Sequence, residues 1–187
     1  MQQYSAKGLN EVLPSELGFK DFGTAWGWRV GANILGFRQK DILISLKFYY
    51  QSMTETQNIT EQEIKLIHTQ FSLGMSFSYI ISKSFDIRIF DVYITWNNAE
   101  LTNAVEGIDD RVYESPETNT GFTADAGLIY YPFPPYISLS ILGGYSIFSI
   151  DEIILEEGES SLTTINDFID GGGFFGMAVL TIGIPFN

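Results

Sequence analysis

Six residues of this sequence have the types and spacing to do chemistry inside a β-sheet: Arg29, Lys47, His68, Arg88, Asp91 and Asp125. Each sits in an alternating segment, on the line that also carries Gly, Ser, Thr and Gln. Two carboxylates against three fixed cations is close to balance. That is what a buried ion-pair network needs, because a charge left unpaired out of water costs several kcal/mol. His68, the one histidine, lies in "KLIHTQFSLG", with Ser72 and Ser76 on the same line. A serine beside a histidine is the minimum for an activated nucleophile. The other reading is a histidine packed and hydrogen-bonded among small polar neighbours, and the expectation is no catalytic residue and no enzyme. No nucleophile elbow and no HExxH spacing occurs. Cysteine is absent, which rules out a disulfide scaffold, a thiolate metal site and a cysteine nucleophile. The acidic runs "VEGIDDR" (105–111) and "DEIILEEGESS" (151–161) could attract Ca²⁺ or Mg²⁺. They match no ligand-loop spacing, so no metal site and no cofactor is assigned.

The elements that must position these residues follow from the dominant period, which is two rather than 3.6. Alternating segments rich in β-branched and aromatic residues cover 24–37, 41–53, 64–80, 85–96, 121–131, 136–150 and the terminal 171–187. Connections between them alternate in length. Residues 38–40, 82–84 and 132–135 are tight, whereas 54–63, 97–121 and 151–170 are long and polar. That rhythm is an up-and-down antiparallel sheet with turns at one end and loops at the other. An even number of strands requires one more before residue 24. Residues 1–21 are either a weak first strand or a segment outside the sheet, with a first strand missing. The chain is read as one domain of 187 residues, with 22–187 supplying the strands. In "FDIRIFDVYITW" (85–96) the apolar line changes phase, and a β-bulge near Ile89–Phe90 keeps Asp91 on the polar line.

Alternation alone does not say which face points inward, since a soluble ligand-binding barrel and a membrane barrel are inverses. Three observations favour the membrane form. The polar line is small, with few charges of mixed sign, unlike a solvated sheet face. Aromatic residues gather at the two ends of an aliphatic band: Trp26, Trp28 and Trp96 near the loops, Tyr79, Tyr130, Tyr136 and Phe186 near the turns. Finally, the three long connections hold sixteen of the 23 acidic residues and one basic residue, Arg111. The tight turns carry Arg38, Lys40 and Lys83. A net charge of −13 excludes a nucleic-acid partner, there being no basic surface to displace phosphate counterions.

With these belts, the loop asymmetry and the closing "AVLTIGIPFN", the chain resembles the small outer-membrane β-barrels of bacteria, the OmpA/OmpX-like group of porin-family small barrels. The resemblance implies an all-β transmembrane barrel of about eight strands with short periplasmic turns and long acidic extracellular loops. It implies location in the bacterial outer membrane, a signal peptide removed ahead of this sequence, and recognition of the last strand by the barrel-assembly machinery. In that group the final residue is aromatic; here Phe186 is penultimate. Outer-membrane lipid is the expected partner, with other envelope proteins meeting the acidic loops. The expected role is structural: surface presentation, adhesion or a place in an envelope complex, the interior plugged by side chains. The alternatives are a narrow pore or carrier for a small hydrophobic molecule, and a soluble ligand-binding barrel.

Overall fold

A computed structural model describes residues 1–13, 20–59, 62–134 and 136–182. The long alternating segments form β2 (Thr24–Gln39), β3 (Ile42–Ile59), β4 (Gln62–Ile80), β5 (Phe85–Val105), β7 (Asn119–Phe133), β8 (Ile137–Ile147) and β11 (Phe174–Ile182). Four short strands accompany them: β1 (Gln2–Gln3), β6 (Arg111–Glu114), β9 (Ile150–Glu157) and β10 (Thr164–Ile169), with one helix, α1 (Lys7–Val12). All pairings are antiparallel and belong to one 11-stranded sheet. From β2 the sheet runs through β3, β4, β5, β7 and β8 to β11, and β1 bridges β11 back to β2 at the loop end. The sheet thus closes partly into a ring.

The ring turns its apolar line outward. Val30, Phe37, Leu73, Val92, Leu128, Leu139 and Leu180 are exposed on its outside, while Ser45, Gln70, Ser76, Thr95, Thr123 and Ser140 are buried inside. Small residues are demanded by the narrow interior. A Cβ on Gly74 would lie 2.0 Å from the Val92 carbonyl and 2.6 Å from the Tyr93 ring, so Gly74 makes the space that Tyr93 fills. The register of β5 against β4 and β7 skips Ile89, the bulge that holds Asp91 inside. A second irregularity between Asn33 and Leu35 passes the outward line of β2 from Ala32 to Leu35 and Phe37.

Three expectations are corrected. The stretch 54–63 is not a loop: β3 and β4 continue their pairing to Ile59 and Gln62. β5 likewise runs on to Val105, and 151–170 holds β9 and β10. Of residues 1–21, left open between a weak first strand and a segment outside the sheet, the described ones form the two residues of β1 followed by α1. The extensions stand above the ring and bury a core of their own. Ile64, Leu66, Ala99, Leu101, Tyr113, Ile150, Ile153, Ile165 and Phe168 pack there against Ala6 and Leu9 of the N-terminal segment. α1 lies against β10 so closely that a Cβ on Gly8 would meet the Asn166 carbonyl at 2.0 Å. The helix ends at Leu13, extended at ψ 120°, as the residue before Pro14 must be. The polar connections have folded into a cap.

Candidate functional site

Inside the ring β5 and β7 place Asp91 and Asp125 directly opposite one another. Two like charges in that position repel, and both side chains are fully buried. Cations from three other positions hold them. Arg29 on β2 reaches Asp125 with Nη1 3.5 Å from Oδ2. Lys47 on β3 reaches Asp91, Nζ to Oδ2 3.2 Å. Arg88, three residues before Asp91, brings Nε to 3.4 Å from the same oxygen, a charge contact rather than an aligned hydrogen bond. The Tyr93 hydroxyl donates to that oxygen at 2.8 Å. Arg29 also donates from Nε to Gln51 Oε1 at 2.9 Å, and its guanidinium lies 3.8 Å from the centre of the Tyr49 ring. Arg29, Lys47, Arg88, Asp91 and Asp125 are therefore one cluster.

His68 stands outside it. Its Nε2 is 3.2 Å from Asn97 Oδ1, and its ring stacks on Phe148 with centroids 4.4 Å apart. That places it at the junction of ring and cap, in contact with an amide rather than a serine hydroxyl. The stacking partner is separated from it by a long stretch of chain, so no local spacing announced it. Tyr93 was missed as well, although its place two residues after Asp91 on the same face is the signal that would have found it.

On the turn side of the cluster the ring encloses a cavity of about 370 Å³. Arg29, Lys47 and Arg88 reach its wall, with Tyr49, Tyr93 and Leu142. The cavity extends between Gly31 of β2 and Val179 of β11. Its wall is polar and cationic where the side chains converge and apolar elsewhere, and its size is that of a small-ligand site.

A second polar node anchors the cap. Glu55, on the extension of β3, accepts three hydrogen bonds on Oε2: from the Tyr4 hydroxyl at 2.6 Å, the Gly23 amide at 3.0 Å and the Thr24 amide at 2.8 Å. The Asn10 side chain spans from α1 to Phe22, donating to its carbonyl and accepting from its amide. Together these tie the N-terminal segment across the ring mouth. Burial, then the bond to Glu55 and its charge, push the Tyr4 phenol pKa up from its ordinary value of 10.0. A group whose folded pKa is raised contributes fully below its unfolded pKa, and loses that contribution as pH climbs above it. The cap is therefore expected to loosen above about pH 10, the ordinary phenol value. Proteolysis of the cap followed against pH measures this. Tyr4→Phe should flatten the alkaline rise, and an unchanged profile in that variant would assign the loss to other groups.

The aromatic residues of the sequence reading divide as follows. Trp26, Trp28, Tyr79, Tyr130 and Tyr136 are exposed on the outside of the ring, and Trp96 is half-buried there. Trp28 meets Tyr50 at 5.6 Å and Trp96 meets Phe71 at 5.7 Å, centroid to centroid. The neighbouring Tyr131 hydroxyl donates to Asp86 at 2.9 Å. Phe186 lies outside the described residues. Among the described residues no three Asp, Glu or His side chains converge as metal ligands. Compared with known proteins, the chain matches no family model, no curated sequence and no solved structure.

Proposed function

We propose that this chain is an integral outer-membrane β-barrel whose folded, acidic cap is presented at the cell surface, with a structural or adhesive role and no catalysis. The inverted distribution carries the reading: apolar side chains outside the ring, serines, threonines and ion pairs within. In water that arrangement exposes an apolar band far beyond what a monomer tolerates. In a bilayer it is the stable one. The soluble ligand-binding alternative needs the opposite orientation of every strand. The aromatic residues at both ends of the band suit the two interfaces. On this reading the turns with Arg38, Lys40 and Lys83 face the periplasm, and the acidic cap faces outward to meet envelope proteins. No helix among the described residues is long and apolar enough to cross a membrane, so any crossing is by strands.

The deciding experiment is gel mobility of the detergent-folded protein, unheated against boiled, with circular dichroism on the same sample. A faster unheated band and a β spectrum, both dependent on detergent, are the expected result. A protein that stays monodisperse and folded without detergent would end the membrane reading. A carrier for a small hydrophobic molecule is the second reading, supported by the cavity between β2 and β11. It predicts saturable uptake of a fluorescent apolar probe into liposomes holding the protein, and uptake equal to that of empty liposomes would remove it.

A further inference from the structure

We infer that the ring accepts one more β-strand, an extended polypeptide inserted between β2 and β11 and antiparallel to both. β2 and β11 run in the same direction, since each starts at the loop end and descends toward the turns. The two-residue β1 lies between them and pairs antiparallel with each, Gln2 opposite Ala25 on one side and opposite Phe175 on the other. Met1 continues this as an ordinary ladder rung. Its nitrogen donates to the Gly176 carbonyl at 3.2 Å, and its carbonyl accepts from the Gly176 amide at 3.1 Å. Beyond that rung, among the described residues, β2 is paired only with β3 and β11 only with β8.

The two edges form a slot whose register β1 already sets. A residue preceding Met1 in that register lies opposite Gly27 and Met177, and the next lies opposite Trp28 and Ala178. Because ladder bonds alternate from side to side along a strand, the Gly176 and Gly23 bonds identify which amides face the slot. They are Gly27, Arg29, Gly31 and Asn33 on β2, and Ala178, Leu180 and Ile182 on β11. Gln2 points into the ring, where Gln51 Nε2 donates to its Oε1 at 2.8 Å. The occupant therefore puts alternate residues inward, beside Arg29 and Gly31, where they must be small or polar. The intervening ones point outward beside Trp28 and Val30, where they must be apolar.

Nothing about the slot depends on the solvent, since unpaired edges are strand-binding templates in water as well. On the membrane reading the demand is stronger, because backbone groups facing hydrocarbon without a partner cost several kcal/mol each. A cavity of about 370 Å³ bounded by Gly27, Trp28, Met177 and Leu180 lies along the slot. It separates β2 from β11, the space in which a strand fits.

The test is amide hydrogen exchange, residue by residue, in detergent-folded protein. Three chains are compared: the sequence as it stands, the same chain extended ahead of Met1 by an alternating Val-Ser strand of about twelve residues, and one extended by Gly-Ser of equal length. The seven slot-facing amides are expected to exchange rapidly in the first and third chains. In the second they should slow on the order of a hundredfold, while amides between β3 and β4 stay equally protected in all. Protection in the unextended chain would mean that β2 and β11 pair directly or with a second copy, and would overturn the proposal. Rapid exchange despite the alternating extension would also overturn it. Detergent dependence of folding is read separately, so failure of the slot is distinguishable from failure of the membrane reading.

Discussion

Asp91→Ala is expected to destabilise the ring by about 3–5 kcal/mol, the usual cost of breaking a buried pair by removing one partner. Asp91 is fully buried and takes Lys47, Arg88 and the Tyr93 hydroxyl on one carboxylate oxygen. Its loss leaves Lys47 and Arg88 without their carboxylate, and three cations share the single one that remains, Asp125. The check is the denaturant concentration, or the temperature, at which the unheated band of the detergent-folded protein converts to the boiled one. Destabilisation of that size should move the midpoint far outside experimental scatter. Asp91→Asn keeps the shape and removes the charge, so it should lose most of the same stability. Adding Lys47→Met should then return part of it, because the orphaned ammonium has gone. A double variant whose loss is the plain sum of the two single losses would show that these groups are not energetically coupled.

Phe168→Ala should cost about 3–5 kcal/mol, the typical range for emptying a fully buried aromatic site, but the loss should fall on the cap alone. Phe168 is completely buried in the core formed by α1, the extensions of β4 and β5, and β9 and β10. That core is separate from the ion-pair cluster, and the walls of the ring continue below it without passing through Phe168. Limited proteolysis should therefore cut the variant within 150–170 under conditions that leave the parent intact. The unheated band should keep its fast mobility. If ring and cap were lost together, the two would be one cooperative unit, and the cap could not unfold independently of the ring. Such separability matters for a surface role, because loop-borne recognition works best on a scaffold that does not unfold with it.

The cap shows why part of this structure was hard to see in the sequence. Ile59, Leu101 and Tyr113 are scattered among Glu, Thr, Asn and Gln, so their stretches look like solvated loops, while Ile64 and Leu66 open a strand with nothing to show what covers them. They become a core only when β6, β9 and β10 bring them onto α1, and no local pattern announces that meeting. The interior cluster was easier. Arg29, Lys47, Arg88, Asp91 and Asp125 share the small, polar line of an alternating segment, and a period of two is a property of neighbouring residues. The phase change at Ile89–Phe90 was legible for the same reason: the register skips Ile89.

By itself the sequence determined the seven long strands within the ring, their antiparallel order, the bulge in β5 and the set of charges that must share an interior, because each depends on alternation and on connection length. Tertiary structure alone decided the rest. It moved His68 away from the ion pairs and onto Phe148, and folded the acidic connections into a cap tied down by Glu55. Among the described residues it also left β2 and β11 joined only through β1. Each of these outcomes depends on contacts between residues far apart in the chain, and period and composition carry no information about which distant segments meet.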